Sequence, residues 1–205
     1  MKELINNLVA QGYLKTPAII RAFKKINRQD FMPEKIRNQA SVNQPLPIGH
    51  GATISQPLTV ALMLEMLQPK LGDKILDVGS GSGWTSSLLA EIVGFKGKVS
   101  AIERVAALKE FGEKNAKKFN FSNLKFFCGD GSKGLPKEAP FDKILVSAAA
   151  FIIPQELKDQ LRVGGRLVIP TAAQDIRIIE KVANSKFRET IYEGFIFVPL
   201  IQKGI

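Results

Sequence analysis

Two residue types that carry much of protein chemistry are almost missing from this chain. It has one cysteine, Cys128, and one histidine, His50. A single thiol excludes an internal disulfide framework. One histidine and one cysteine are too few nitrogen and sulfur ligands for a zinc site, so no bound metal is expected. Because Cys128 lies in an apparent strand, we expect its side chain to be a small buried apolar group.

Long hydrophobic runs are also missing. No apolar segment approaches the roughly 20 residues needed to cross a bilayer. The start, Met1-Lys2-Glu3-Leu4, lacks a signal-peptide pattern. We therefore expect a cytoplasmic protein with no membrane partner. The length of 205 residues suits one α/β domain with a buried core, and we expect a single domain over 1–205 that is a monomer.

Blocks of like charge are absent, although the net charge is +10. The densest basic pairs, Lys24-Lys25 and Lys117-Lys118, lie on helix-like segments and suit solvated helix faces. A basic protein can nevertheless contact nucleic acid. An enzyme acting on RNA or tRNA therefore stays open as an alternative, while no obligate nucleic-acid partner is expected.

The chain does contain a regular alternation of strands and helices from residue 74 onward. Short apolar runs predict strands at 74–78, 98–102, 124–128, 142–147 and 166–170. Helical spacing predicts helices at 84–93, 104–119 and 154–161. This order indicates a doubly wound, mostly parallel α/β sheet covered on both faces. The segments 176–182 and 188–198 predict an antiparallel C-terminal hairpin.

The first 70 residues predict a helical N-terminal extension. Apolar residues at helical spacing indicate a helix over 2–11 and another from Pro17, with Thr16 as its N-cap. The stretch 44–51 has too many prolines and glycines for a helix or a central strand. A further apolar helix opens after Ser55-Gln56-Pro57.

The most informative motif leads from an apolar strand through Asp77 to three alternating glycines, Gly79, Gly81 and Gly83. Glycines allow a sharp turn and close approach of the backbone to a ligand. A dinucleotide fingerprint would need a glycine where Trp84 stands, and Asp77 would repel a phosphate. An acid beside a glycine turn instead suits a cationic ligand with hydroxyl and amino groups, such as S-adenosylmethionine. A glycine-rich turn without a ligand is the alternative.

Two more acidic residues follow the next two strands. Glu103 is placed to accept hydrogen bonds from ribose hydroxyls, or to favour a helix start through its charge. Asp130, between Gly129 and Gly131, suits an exocyclic adenine amine or an ordinary turn. Together with Asp77, this series resembles the cofactor site of class I S-adenosylmethionine-dependent methyltransferases with a Rossmann-like sheet.

The chain lacks the residues that enzymes need for two classes of methyl acceptor. Enzymes that methylate amino groups of nucleic acids typically carry an Asn/Asp-Pro-Pro-aromatic run after the fourth strand, where this chain has Val146-Ser147-Ala148-Ala149-Ala150. Cytosine-C5 enzymes need a nucleophilic cysteine, usually beside proline, and Cys128 is followed by Gly129. Neither chemistry is supported.

The segment before the glycine turn carries the most specific resemblance. Pro45-Leu46-Pro47-Ile48-Gly49, leading to Thr53-Ile54-Ser55 and an apolar helix, resembles the protein-L-isoaspartate (D-aspartate) O-methyltransferase family. Further matching segments follow in order over nearly the whole chain, at 30–34, 77–83, 102–104, 129–131, 139–142, 164–170 and 197–200.

This resemblance implies methyl transfer from S-adenosylmethionine to the α-carboxylate of L-isoaspartyl residues in damaged proteins, which starts repair through a succinimide. It implies a cofactor-binding core over 71–205 and a helical extension with a substrate loop over 1–70. A carboxylate with a pKa of about 4 is already ionised at neutral pH, so no general base is needed. That agrees with a chain that has no nucleophile–base pair.

The resemblance also implies roles for single residues. Ser55 matches the active-site serine that orients the substrate carboxylate, although a serine before a helix also suits an N-cap. The motifs and the resemblance together give these cofactor-binding candidates: Ala52, Thr53, Ile54, Asp77, Gly79, Ser80, Gly81, Gly83, Glu103, Asp130 and Gly131. The substrate-contact candidates are Ile48, Gly49, His50, Ser147 and Ala148.

Departures from the family's pattern leave alternatives open. Asn43-Gln44 stand where many members carry an acid, and Trp84 replaces a smaller residue. An RNA or tRNA methyltransferase, a methyltransferase of one specific peptide carboxylate and a non-catalytic binding module are the alternatives. The intact acidic series and Ser55 argue against the binding module.

Overall fold

The computed structural model describes residues 1–201. The strands of its main sheet are β3 (Lys74–Val78), β4 (Lys98–Glu103), β5 (Leu124–Cys128), β6 (Phe141–Val146), β7 (Leu161–Thr171), β8 (Asp175–Ala183) and β9 (Lys186–Glu193). Two shorter strands, β1 (Leu46–Gly49) and β2 (Ala52–Ile54), pair as a separate hairpin. The helices are α1 (Lys2–Ala10), α2 (Pro17–Lys25), α3 (Pro57–Leu67), α4 (Trp84–Val93), α5 (Ala106–Lys117) and α6 (Gln155–Asp159).

The main sheet has the strand order β5-β4-β3-β6-β7-β8-β9. Strand β3 pairs in parallel with β4 on one side and with β6 on the other. The chain winds outward from β3 to β5 and then crosses over to start the other half at β6. A crevice forms at such a switch point, outside the carboxyl ends of the strands, and ligands of doubly wound sheets bind there. The predicted doubly wound, mostly parallel sheet is confirmed.

The core occupies both faces of this sheet. Along β3, Ile75 belongs to one buried apolar cluster and the next residue, Leu76, belongs to the other. Successive side chains of a strand point to opposite faces, so a strand covered on both faces has an almost continuous apolar sequence. This is why the short apolar runs predicted the parallel strands well.

Trp84, the first residue of α4, packs this helix against the N-terminal extension. It is 1% exposed, and its ring meets that of Phe23 in an edge-on contact with centroids 5.7 Å apart. The indole Nε1 donates a hydrogen bond of 3.2 Å to the carbonyl of Ile26. The large side chain at this position is therefore used for packing between α4 and α2.

The stretch 44–51 is more ordered than its composition predicted. Leu46 pairs with Ile54 and Pro47 with Thr53 in the β1–β2 hairpin. The turn consists of His50 and Gly51, which both have positive φ, at 54° and 72°. A two-residue turn of this hand matches the twist of paired strands, and the prolines fit because a two-stranded ribbon has free edges.

The C-terminal hairpin forms as predicted, but its second strand, β9, ends at Glu193 and not at 198. Gly194 has a φ of 92°, and its amide and that of Phe195 both donate to the carbonyl of Gln174. A left-handed residue turns the chain away from the sheet, so the residues after Gly194 leave β9 and run back toward the crevice.

The prediction of a buried Cys128 is wrong, because this residue is exposed. Strand β5 is one of the two edge strands of the sheet, and Cys128 is its last residue. Its Sγ lies 3.9 Å from the carbonyl oxygen of Arg104. A sequence pattern finds a strand but does not show whether the strand is central or at an edge.

Candidate cofactor and substrate site

A cavity of about 530 Å³ lies at the carboxyl ends of the central strands. Ligand sites commonly have volumes of about 300–1,000 Å³. Its walls come from the β1–β2 hairpin with the start of α3, the turn after β3, the end of β4 with the start of α5, Gly131 after β5, and the loop after β6 together with residues 196–201. The cavity therefore occupies the crevice at the switch point of the sheet.

The turn between β3 and α4 needs all three of its glycines. Gly79, Gly81 and Gly83 have φ values of 80°, 48° and 82°, in the left-handed region that side chains with a Cβ disfavour. The amides of Gly79 and Ser80 both donate to the carbonyl of Ile102 at the end of β4. The turn is thus tied to the neighbouring strand, and Gly79, Ser80 and Gly81 line the cavity.

Gly83 does not line the cavity and serves helix packing. A Cβ on Gly83 would lie 2.6 Å from the carbonyl oxygen of Gly112, and a Cβ on Gly112 would lie 2.6 Å from the carbonyl oxygen of Gly81. Helix α5 therefore contacts the glycine turn backbone to backbone. The sequence analysis missed Gly112, whose only signal is a glycine inside an otherwise helical segment.

Glu103 is held at the cavity wall by two backbone amides. It is 8% exposed, and its Oε2 accepts from the amide of Gly81 at 3.0 Å while its Oε1 accepts from the amide of Val105 at 3.0 Å. Each carboxylate oxygen has a second lone pair. Glu103 can therefore accept hydroxyl donors from a ligand while its orientation stays set by the chain.

Asp77 lies beneath the glycine turn and not on the cavity wall. It is 0% exposed, and its Oδ2 accepts from the hydroxyl of Ser86 at 2.5 Å. Its Oδ1 is buried and has no partner among residues 1–201. Burial raises the pKa of Asp77 to about 7, the hydrogen bond from Ser86 opposes this rise, and the charge of Glu103 adds to it.

Asp130 forms the turn that follows β5. Its Oδ1 accepts from the amide of Ser132 at 3.0 Å and from the hydroxyl of Ser132 at 2.7 Å. Its Oδ2 is buried and has no partner within the described part of the chain. Asp130 itself does not line the cavity, whereas the neighbouring Gly131 does. Its contact with adenine stays a prediction.

Ser55 is not the N-cap of α3. That position is Gln56, and the amide of Leu58 in the first turn donates to Oδ1 of Asn43 at 3.0 Å. Ser55 is half-buried and lines the cavity, and its hydroxyl has no hydrogen-bond partner among residues 1–201. Because Asn43 performs the capping, the Ser55 hydroxyl is available to a ligand.

The other expected site residues divide into two groups. The wall includes His50, Ala52, Thr53, Ile54, Ser147 and Ala148. Ile48 and Gly49 do not line the cavity. Ile48 is 8% exposed, and its Cδ1 would lie 3.5 Å from a Cβ on Gly81. Ile48 therefore packs the hairpin against the glycine turn, and a role in substrate contact for it stays a prediction.

A wall that the sequence analysis did not assign to the site comes from residues 196–201. The amide of Ala149 donates to the carbonyl of Val198 at 2.7 Å, and the amide of Leu200 donates to the carbonyl of Ala149 at 2.7 Å. The match of 197–200 to the family pattern was the available signal. Its position beside the loop after β6 depends on the turn at Gly194, which the pattern does not show.

Residues 1–201 contain neither a membrane-spanning helix nor a cluster of metal-ligating side chains. No helix there combines the length and apolar character that a membrane-spanning helix requires. That part of the chain also has no group of three or more histidine, cysteine, aspartate or glutamate side chains arranged to hold a metal ion.

The polar groups around the glycine turn fit a cationic ligand that donates hydrogen bonds. Asp77 Oδ1, Ser80 Oγ and Asp130 Oδ2 are buried without partners in the described residues, and Glu103 lies on the wall. Buried polar atoms of a folded protein normally have partners, and two of these three are carboxylate oxygens. A doubly wound sheet with this acid-rich glycine turn defines the class I S-adenosylmethionine-dependent methyltransferases.

Comparison with known proteins gives the family. The model of the protein-L-isoaspartate(D-aspartate) O-methyltransferase family matches residues 1–204. The chain is 41% identical over 204 residues to the protein-L-isoaspartate O-methyltransferase of Methanopyrus kandleri, covering 98% of this chain and 90% of that protein. It is 45% identical over 184 residues to protein-L-isoaspartate O-methyltransferase 2 of Archaeoglobus fulgidus, covering 89% and 84%. This chain belongs to the protein-L-isoaspartate (D-aspartate) O-methyltransferase family.

Solved structures agree with this assignment. A Plasmodium falciparum structure described as a protein-L-isoaspartate O-methyltransferase, in complex with S-adenosyl-L-homocysteine, superposes with a TM-score of 0.87 at 27% identity, covering 98% of this chain and 97% of that one. Another protein-L-isoaspartate O-methyltransferase superposes with a TM-score of 0.88 at 25% identity, covering 97% and 65%. The whole fold, extension included, is thus shared with the family.

Proposed function

We propose that this chain transfers a methyl group from S-adenosylmethionine to the α-carboxylate of L-isoaspartyl residues in damaged proteins. The observation that carries the proposal is the free hydroxyl of Ser55, which shares one cavity with Glu103 and the glycine turn. A hydrogen-bond donor on one wall and a cofactor-type site on the other suit a carboxylate acceptor. Membership of the family supports the same reaction.

The residues that would hold the cofactor are those of the inner wall. Glu103 would accept from the ribose hydroxyls, and the backbone at Gly79–Gly81 and Gly131 allows close approach. The hairpin residues 52–54 would cover the cofactor from the other side. When bound, S-adenosylmethionine supplies a methyl group on a positively charged sulfur.

The protein's task in the reaction is positioning. A carboxylate oxygen of the substrate forms a bond to the methyl carbon while the carbon–sulfur bond breaks and its electron pair stays on sulfur. The products are a methyl ester and neutral S-adenosylhomocysteine, and no proton moves. Ser55 would donate to the substrate carboxylate and keep one oxygen in line with the methyl group.

The apolar parts of the cavity wall favour this reaction. A negative carboxylate and a positive sulfonium combine to neutral products, so the transition state carries less charge than the reactants. A surrounding poor in water therefore stabilises it relative to the reactants. Ile54, Ala148 and Leu200 supply such a surrounding on three sides of the cavity.

Repair then continues without further help from the protein. The backbone nitrogen that follows the ester attacks the ester carbonyl, methoxide leaves with that nitrogen's proton as methanol, and a succinimide ring forms. Hydrolysis of the ring returns part of the material as normal aspartate. The proposed partners are isoaspartyl-containing proteins and peptides, and we infer a single-domain monomer in the cytoplasm without nucleic-acid or membrane partners.

The test uses two peptides that differ only in having L-isoaspartate or normal aspartate at one position. With labelled S-adenosylmethionine, we expect label in the isoaspartyl peptide alone. Transfer to neither peptide, while calorimetry shows S-adenosylhomocysteine binding, would contradict the proposal. A parallel reaction with RNA would then show whether the basic net charge serves an RNA substrate.

A further inference from the structure

We propose that Arg28 is a positioning residue of the methyl-transfer site. Its guanidinium holds the hairpin root, which is the place where the two backbone ends of the β1–β2 hairpin segment meet, directly before Ser55. The same guanidinium connects this root to α4, the helix after the glycine turn. Arg28 touches neither the cavity nor Ser55 directly, so it acts through the backbone. This inference rests on the proposed function of the same site.

The guanidinium gathers four backbone carbonyls. Its Nη1 donates to Ala40 at 3.3 Å and to Val42 at 2.9 Å. Its Nη2 donates to Gln44 at 2.7 Å and to Ile54 at 3.2 Å. Gln44 and Ile54 are the two ends of the segment that contains β1 and β2. One nitrogen thus closes the base of the hairpin.

The residues directly after Gln44 and Ile54 both lie at the site. Pro45 comes after Gln44 and lines the cavity, and so does Ser55, which comes after Ile54. A second tether, from the Gln56 side chain to the carbonyl of Asn43 at 3.0 Å, lies outside the Arg28 fork. Loss of the guanidinium therefore removes the links to Gln44 and Ile54, while this second tether still holds the start of α3.

The same guanidinium contacts the other half of the site through Trp84. Its central carbon lies 5.8 Å from the centroid of the Trp84 ring, a distance at which a cation is attracted to an aromatic face. Trp84 is the first residue of α4 and follows the glycine turn directly. Arg28 therefore fixes the distance between the wall that carries Ser55 and the wall that would hold the cofactor.

The buried position of Arg28 carries a free-energy cost, because its charged guanidinium is removed from water. It is 0% exposed, its Nε has no partner, and no carboxylate in the described residues forms an ion pair with it. Burial lowers the pKa of Arg28 to about 10, so it stays charged at neutral pH. An apolar residue would avoid this desolvation but would donate to none of the carbonyls.

The experiment compares Arg28→Met, Arg28→Lys and Arg28→Ala with the parent and with Ile19→Ala. Ile19 is 0% exposed in α2, and its hydrocarbon side chain donates no hydrogen bond to the hairpin root, so its variant is a control for lost stability. Measured quantities are the midpoint of thermal unfolding, kcat and KM for the isoaspartyl peptide, and the affinity for S-adenosylhomocysteine. All assays are made below the lowest unfolding midpoint.

We expect Arg28→Met to lower kcat by about 100-fold, the order of loss that a misplacement of about 1 Å can cause. Arg28→Lys, which has the charge but not the planar fork, should lose less. Ile19→Ala should keep the parent kcat. In Arg28→Ala, added guanidinium ion at concentrations below those that unfold the protein should restore part of the turnover.

Arg28→Met and Arg28→Lys with the kcat of Ile19→Ala would overturn the inference. If Arg28→Met does not fold, Arg28→Lys decides, and parent-like turnover in it overturns the inference. If the parent methylates no isoaspartyl peptide, the proposed function fails. The inference is then decided by S-adenosylhomocysteine affinity, because residues 52–54 line the cavity: weaker binding in the Arg28 variants supports it, and unchanged binding overturns it.

Discussion

At the scale of single residues, the site combines groups that are held with groups that are free. Glu103 has both oxygens engaged by backbone amides, and Asp77 is held by Ser86. The hydroxyl of Ser55, in contrast, has no partner in residues 1–201. Carboxylates fixed by hydrogen bonds within the protein suit a preformed cofactor site, whereas an unpaired hydroxyl donor suits the binding of a substrate in each turnover.

Ser55→Ala should lower kcat for methyl transfer and spare the affinity for S-adenosylhomocysteine. A hydrogen bond to a charged group contributes about 1.5–3 kcal/mol, so a loss of about 10- to 100-fold in turnover is expected. Ser122→Ala is the control, because Ser122 is exposed and does not line the cavity. Unchanged turnover in Ser55→Ala would remove this residue from the mechanism.

Asp77 should make the stability of the ligand-free protein depend on pH. Its pKa rises from 3.8 to about 7 in the folded state, so between these values the folded state binds more protons than the unfolded state. The contribution of Asp77 to the free energy of unfolding is therefore complete below pH 3.8 and is lost as the pH rises through about 7.

Thermal unfolding at a series of pH values checks this. Relative to Asp77→Asn, the parent should lose melting temperature between acidic and neutral pH. Asp159→Asn on the exposed part of α6 is the control and should follow the parent. Equal pH profiles for the parent and Asp77→Asn would contradict the assignment. Above pH 7, where this carboxyl is ionised, Asp77→Asn should also bind S-adenosylhomocysteine more weakly, because it removes the buried charge beneath the turn.

At the scale of secondary-structure elements, the site depends on close contact between neighbouring segments. Helix α5 approaches the glycine turn through Gly112, and the hairpin approaches it through Ile48. Both contacts join elements that are distant in the chain. They explain why a short glycine-rich turn keeps one shape.

Gly112→Ala tests the first of these contacts. In an ordinary helix, the exchange of glycine for alanine stabilises by about 1 kcal/mol. Here the added Cβ would lie 2.6 Å from the carbonyl oxygen of Gly81, so we expect a loss of about 1–3 kcal/mol from overpacking and weaker S-adenosylhomocysteine binding.

Gly129→Ala is the matched control, since its Cβ would lie 3.6 Å from Ile102 Cδ1, an ordinary contact, and its φ is not in the left-handed region. Denaturant unfolding and calorimetry measure both effects. A Gly112→Ala protein as stable as the control would mean that α5 moves away from the turn without cost.

The helices and parallel strands could largely be predicted because each has a local cause. Strand β3 is a short, nearly continuous apolar run, and α4 is a longer apolar segment that begins directly after Gly83. The β1–β2 hairpin was missed because prolines in an isolated ribbon cost little, whereas the same residues would disrupt a central strand. The end of β9 was missed because a single left-handed residue, Gly194, ends it.

At the scale of the whole molecule, charge and edges bear on association. Strand β9 is the last strand of the sheet, and its second edge pairs with no strand in the described residues. It carries the charged residues Lys186, Arg188, Glu189 and Glu193. Charged side chains on an edge strand oppose pairing with another chain.

We therefore expect a monomer in solution. Sedimentation equilibrium at low and high protein concentration should give the mass of one chain at both. A mass that rises toward two chains with concentration would contradict this, and a variant with proline at Thr190 on β9 would then show whether the edge is the interface, because proline removes a ladder donor.

The sequence by itself determined the elements and the chemical character of the site. Apolar periodicity, the three glycines of the turn, and acids at successive strand ends are local features, and each has one dominant physical cause. The tertiary structure decided which polar groups are free. Ser55 is released because Asn43 caps α3, and Asp77 is buried because α4 packs over it. Such outcomes depend on which distant segments contact a group in the folded protein, and a local sequence pattern does not contain this information.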